Sequence, residues 1–168
     1  ARIELPGPDG QSTGLFLKRQ ENHTRRTFRH PLHGEPTFAA EIRNILAMQR
    51  AQVHSLEPVY YAQRKLAGRW CVVLITRELL GYRPLDAWAD DWYAADWTES
   101  RQLRLQVISE CALILRRLHR AGFAHNAMHP KHIFLRVDDR DGVEARLIDL
   151  EKMRRKPGLL RRTLRDLD

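Results

Sequence analysis

The chain has 168 residues, with 29 Lys and Arg against 21 Asp and Glu, a formal net charge of +8 at neutral pH. Hydrophobic residues make up 43% of it and charged residues 30%, enough apolar content for a folded core, while the cationic excess points to anionic partners. Apolar stretches such as Cys71–Ile75 are brief, far short of the roughly 18 residues of a membrane span, which argues against a transmembrane enzyme.

Cys71 and Cys111 lie inside apolar runs and read as buried free thiols, not as a disulfide framework or a cysteine zinc site. Ala1–Gly10 is polar and proline-rich and carries no secretory signal pattern, which leans towards the cytoplasm.

In chain order, Arg2–Leu5 and Thr13–Leu17 read as strands on either side of the turn-forming Pro6–Ser12. Glu21–Pro36 is polar, holds Arg25, Arg26 and Arg29 with His23, His30 and His33, and is expected to be a mobile loop contacting phosphate. The histidine spacing matches no zinc motif. Pro36 is placed to open a helix, in which Phe38, Ile42, Ile45 and Met48 form one apolar stripe. Val59–Gln63 and Arg69–Thr76 read as strands joined at Ala67-Gly68.

Composition shifts near Gly81, which suggests two lobes, 1–80 and 81–168. Leu85–Trp97 is aromatic-rich, with Trp88, Trp92 and Trp97 on one helical side. Thr98 or Ser100 is expected to cap a long helix whose apolar face is Leu103, Val107, Ile108, Cys111, Ile114, Leu115 and Leu118, ended by Gly122. Ile133–Val137 and Ala145–Leu150 read as strands around an Asp141-Gly142 turn. The tail from Lys152 to Arg165 is strongly basic, a solvated face or a contact for an anionic membrane.

The stretch Leu118–Leu150 carries the chemistry. A helix ends at Gly122, His125-Asn126-Ala127-Met128-His129-Pro130-Lys131-His132 follows, then a hairpin, then Leu147-Ile148-Asp149-Leu150. Protein kinases place an H-R-D-L-x-x-x-N loop after such a helix, then a hairpin and a metal-binding Asp. By position His125 takes the first place of that loop, His132 the eighth and Asp149 the place of the metal aspartate. In the first half, Lys18 ends a strand and Glu41 sits in the following helix, as do the phosphate-binding Lys and its partner Glu. Arg77-Glu78-Leu79-Leu80-Gly81 falls where the lobes would hinge, and Glu78 is the candidate there for contact with the adenine.

More narrowly, the chain resembles the InaA-type lipopolysaccharide core kinases of Gram-negative bacteria. The carrying segments are Leu17-Lys18-Arg19, His125 to Leu135 with Pro130-Lys131-His132-Ile133, and Leu147-Ile148-Asp149-Leu150-Glu151-Lys152 running into Arg154-Arg155. The resemblance implies a protein-kinase-like α+β fold, with a small antiparallel-sheet lobe bearing one helix and a helical lobe bearing a short hairpin. It implies ATP and Mg²⁺ as cofactors and phosphorylation of a heptose or Kdo sugar at the cytoplasmic side of the inner membrane. Lys18, Glu41 and Glu78 would serve the nucleotide, and Asp149 with His132 the metal. It also implies a longer protein, about 200–250 residues, with a glycine-rich phosphate lid and an acceptor region that this chain does not supply.

One departure is plain. Ala127 stands where the catalytic Asp belongs, and no Asp or Glu occurs between Ala121 and Val137. That carboxylate orients and deprotonates the attacking hydroxyl, a contribution of about 10²–10⁴ in rate. His129 is the nearby side chain whose titration range suits a base, and Lys131 can neutralise a phosphoryl group. The alternative is a pseudokinase that binds nucleotide or lipopolysaccharide precursor and regulates a partner. A nucleic-acid role would also suit the charge, yet no recognised motif is present and the tryptophans lie apart from the basic tail.

Overall fold

The computed structural model describes residues 1–7, 10, 12–27, 30–94, 97–138 and 142–156. The expectations for Asp141 and for the basic tail beyond Lys156 lie outside them, as does the Trp97 side chain.

Strand β1 (Arg2–Pro6) turns back into β2 (Ser12–Glu21), in register from Arg2↔Phe16 to Pro6↔Ser12. β2 pairs with β6 (Arg69–Arg77), which pairs with β5 (Pro58–Leu66), giving an antiparallel sheet in the order β1-β2-β6-β5. The β5–β6 turn needs two residues with positive φ, and Ala67 and Gly68 supply 45° and 80°. Along β6 the alternation of a one-faced strand appears as Val72, Leu74 and Thr76, all buried.

The polar segment after β2 is not a loop. It forms a hairpin of β3 (Thr24–Thr27) and β4 (His30–Pro36), with Thr24 opposite Pro36 and Arg25 opposite Glu35. An ion pair on its inner side replaces the apolar alternation by which a strand is normally recognised, with buried Glu35 held by Arg43. Helix α1 (Thr37–Arg50) begins directly after Pro36. Its stripe packs inward as expected: Ile45 and Met48 are fully buried, and Phe38 and Ile42 lie against the same cluster.

After β6 the chain turns at Gly81, whose φ is 77°, into β7 (Arg83–Pro84), α2 (Leu85–Ala94) and α3 (Trp97–Arg120). α3 starts at Trp97, so Thr98 and Ser100 fall inside the helix and do not cap it. Its buried face holds Val107, Ile114 and Leu118, but Ile108 is 57% exposed, since each residue advances about 100° round the helix and carries it off the stripe. Gly122, with φ 77°, ends the helix as expected. Trp88 and Trp92 pack against the core with ring centroids 6.2 Å apart.

Beyond it, β9 (Ile133–Val137) and β10 (Val143–Leu147) form a hairpin that β7 extends, in the order β10-β9-β7. β8 (Phe123–Ala124) pairs with β11 (Arg154–Arg155), so the start of the basic tail is a strand. Ile45 and Met48 of α1, Leu74 of β6, Ile114 and Leu118 of α3, and Leu147 and Leu150 share one buried cluster. Residues from both sides of Gly81 therefore build a common core. The cysteines are free and half-buried, and burial pushes the Cys111 thiol up to about 11.

Candidate functional site

Lys18 lies in the middle of β2, opposite Leu74, because the strand runs on to Glu21 instead of ending at the lysine. Its Nζ is 2.7 Å from Glu41 Oε1. Glu41 comes from α1 with a side chain only 1% exposed, while that of Lys18 is 36% exposed. Burial is the main force on the Glu41 carboxyl and raises its pKa; Lys18 opposes that, and the negative charges of Asp149 and Glu151 add to it. The first half of the chain thus brings its lysine and glutamate into the electrostatic range of the Asp149 loop.

Asp149 sits two residues past the end of β10, not on the strand, with left-handed φ 56° and ψ 53°. Asp tolerates that region better than most residues, and such conformations cluster at functional sites. His132, on the single turn Pro130–His132, has its Nδ1 2.7 Å from the Ala127 carbonyl oxygen. A carbonyl only accepts, so Nδ1 carries the hydrogen. Nε2 then faces Asp149 Oδ2 at 3.3 Å. His125 is buried and donates from Nε2 to the Ile148 carbonyl at 2.9 Å. Burial holds its pKa below the ordinary imidazole range, so it is a neutral brace between the two loops. Its ring stacks on His132 at 5.8 Å, and His129 meets His132 edge-on at 5.4 Å. His129 and Lys131 are both exposed.

Ala127 brings only a methyl group and a carbonyl to this loop. Among the described residues no group of three or more His, Cys, Asp or Glu converges as a metal cage. The Asp149 carboxylate instead offers an oxygen ligand of the kind that suits Mg²⁺, an ion commonly held by one or two carboxylates with substrate phosphates completing its shell; His132 Nε2 stands beside it at 3.3 Å, a nitrogen donor that this hard ion takes less readily.

Glu78 is turned towards Arg2, whose Nε and Nη2 donate to its carboxylate at 2.6 and 2.9 Å. That guanidinium holds the Glu78 carboxyl below the usual range. The Glu78 amide donates to the Gly14 carbonyl at 2.9 Å, so this backbone hydrogen is committed within the sheet. A Cβ at Gly14 would overlap the Glu78 carboxylate.

Two asparagines escape the sequence reading. Asn44 Nδ2 donates to the carbonyls of Leu150 at 2.6 Å and Met153 at 3.2 Å, tying α1 to the turn Leu150–Lys152 directly after Asp149. Asn126, with φ 58°, donates to the Lys152 carbonyl at 3.1 Å. The available signal for Asn44 is its place three residues after Glu41, on an adjoining part of the same helix, between the apolar Ile42 and Ile45.

A small antiparallel sheet with a lysine tethered by a helix glutamate, joined to a helical half with a histidine-braced loop and an aspartate after a hairpin, is the arrangement of a bilobal, protein-kinase-like α+β fold. A solved structure of WaaP in complex with acyl carrier protein shares that fold with a TM-score of 0.60 at 20% identity, over 93% of this chain and 58% of the WaaP chain. The chain belongs to the lipopolysaccharide kinase (Kdo/WaaP) family, whose sequence model matches residues 7–168. It is similar to protein InaA of Escherichia coli (strain K12), 28% identical over 144 residues, which are 84% of this chain and 63% of InaA. The chain thus spans less than two thirds of the relatives it matches. No helix among the described residues is long and apolar enough to cross a membrane.

Proposed function

We propose that this chain carries the nucleotide-binding machinery of an ATP-dependent phosphotransferase of lipopolysaccharide core assembly, with a heptose or Kdo sugar as acceptor. The observation that carries this reading is the Lys18–Glu41 pair at 2.7 Å, its carboxylate buried and electrostatically coupled to Asp149. A lysine tethered this way loses little rotamer freedom on meeting α- and β-phosphates. In this reading residues 1–80 form the lobe over the nucleotide and 81–168 the lobe beneath it, with Glu78 in the hinge beside the adenine. Asp149, with His132, holds Mg²⁺, which would supply charge neutralisation on the phosphates. His125 fixes the loop, Lys131 faces the transferring group, and His129 is the side chain left to take the hydroxyl proton. The basic tail draws the protein to anionic glycolipid at the cytoplasmic face of the inner membrane.

Ala127 favours a second reading, a pseudokinase that binds nucleotide or lipopolysaccharide precursor and regulates a partner. A thermal-shift titration with ATP and Mg²⁺, followed by phosphate transfer to core oligosaccharide, separates the two. Product that disappears in Asp149→Ala supports the enzyme; stabilisation by nucleotide without product supports the pseudokinase. Absence of any nucleotide effect refutes the enzyme and leaves the pseudokinase only if the precursor itself stabilises the chain.

A further inference from the structure

A cavity of about 1090 Å³ opens between α1, the β3–β4 hairpin and the β8–β11 pair. Arg25, Arg26, Arg43, Arg50, Arg154 and Arg155 line it, against the single carboxylate of Glu35. Helical geometry explains where it lies. Arg43 and Arg50 are seven residues apart, close to two turns, and project from the opposite side of α1 to Glu41. The cavity therefore backs onto the helix whose other face meets Lys18.

Arg43 is committed, with two guanidinium nitrogens each 2.7 Å from a Glu35 oxygen. The other five lining arginines have no acidic partner among the described residues. Arg25 Nε is buried with no hydrogen-bond acceptor, and Arg155 lies over the Phe123 ring at 5.5 Å, which fixes its direction. Solvated arginines normally splay into water to relieve repulsion. Here they reach one concavity from three separate elements, and one has a donor buried without a partner. A group of planar five-donor forks around a hollow matches phosphate oxygens, which such forks bind in pairs of parallel hydrogen bonds. Ala47, Ala51 and Phe123 add apolar surface to the lining, which accepts the face of a sugar ring, and the volume is of the size that holds a small ligand.

We infer that this cavity is a second anion site, distinct from the nucleotide site proposed at Lys18 and Asp149, that takes a multiply phosphorylated sugar headgroup. Because α1 stands between the cavity and Lys18, the bound group docks or positions and is not the reacting acceptor. The site does not depend on turnover at Asp149.

The test uses the full chain, with glucose 1,6-bisphosphate as a soluble probe in calorimetric titration. Phosphatidylcholine vesicles with or without a diphosphorylated lipid A serve as the lipid-linked probe. Arg154→Glu with Arg155→Glu, both exposed side chains, should weaken bisphosphate binding by at least about tenfold, and Arg50→Glu provides an independent reversal on α1. Lys18→Met should leave that affinity unchanged. Vesicle retention competed by the bisphosphate identifies a lipid-borne headgroup; bisphosphate binding without retention identifies a soluble one, and both uphold the site. It is overturned by affinity that ignores the arginine reversals, by affinity lost in Lys18→Met, or by binding of neither probe. Capture of an acidic protein by a chain that ignores the bisphosphate also overturns it, in favour of a protein-docking face.

Discussion

Replacing Lys18 with Met leaves Glu41 in its buried position with no counter-charge. If the carboxylate stayed ionised, removal of one partner of a buried pair would cost about 3–5 kcal/mol. The carboxyl can instead take up a proton, and that sets a ceiling. In the unfolded chain it titrates near 4.5, so holding the proton at pH 7 costs two and a half pH units at 1.36 kcal/mol each, about 3.4 kcal/mol. Lys18 is 36% exposed, so water reaches part of the vacated space and the loss falls below that ceiling. A deficit of about 2–3 kcal/mol at neutral pH is expected, a large share of the roughly 5–15 kcal/mol that holds a domain together. The sign of its pH dependence follows. The folded pKa lies above the unfolded one, so between the two values the native state holds more protons, and stability falls as pH rises through that window. Without Lys18 the window widens, and the deficit should shrink by up to about 1.4 kcal/mol per pH unit on going from pH 7 towards pH 5. Urea denaturation of wild type, Lys18→Met and Lys18→Met/Glu41→Gln across that range measures it, the double variant recovering most of the loss because no charge remains to bury. A deficit that is flat with pH, or no recovery in the double variant, would refute the reasoning.

Asn44→Ala removes two hydrogen bonds that hold the Leu150–Lys152 turn, a loss of about 1–2 kcal/mol. Amide exchange at 150–153 should accelerate selectively; uniform acceleration would mean only general destabilisation. His125, with its folded pKa depressed by burial, gives stability that is present above its unfolded pKa of 6.5 and is lost as pH falls below it. Its imidazole should titrate below that value by NMR, and a midpoint above it would contradict the neutral-brace role. On the proposed phosphotransferase reading, Ala127→Asp puts a carboxylate into the loop and should raise phosphate transfer to core oligosaccharide by about 10²-fold or more. An unchanged rate would show that another group already acts as base.

Much of the fold was legible because its elements follow simple periodicities. The stripe Phe38–Ile42–Ile45–Met48 and the alternation along β6 each have one way to face a core. The β3–β4 hairpin was not legible, because Arg25 and Glu35 face each other there in place of apolar residues, and a polar run reads as a loop. Chain order singled out Lys18 and Asp149 as candidates, but not their local settings: a strand that outlasts the lysine depends on pairing with β6, and the left-handed Asp149 precedes a turn that Asn44 holds. Asn44 itself carries no signature beyond its spacing from Glu41. Its partners are backbone carbonyls more than a hundred residues away, and only the folded chain brings them together.

Helix α1 joins these features, and its rigidity yields a further test. Glu41 meets Lys18, Asn44 holds the turn after Asp149, and Arg43 and Arg50 line the arginine cavity. Side chains on one helix move as a unit, so a shift that opened the 2.7 Å Lys18–Glu41 contact would strain the 2.6 Å Asn44 bond as well. A polyanion drawn against Arg50, Arg154 and Arg155 pulls α1 towards β11 and so favours the seating in which Asn44 holds the Leu150–Lys152 turn. Binding free energies are reciprocal. If α1 has two seatings, glucose 1,6-bisphosphate should tighten ATP binding, and ATP should tighten bisphosphate binding by the same factor, about fivefold or more. Arg50→Glu should abolish the coupling while leaving ATP affinity measured alone unchanged. Equal affinities with and without the second ligand would mean that the shared core already fixes α1 in one position, so that the two sites act independently.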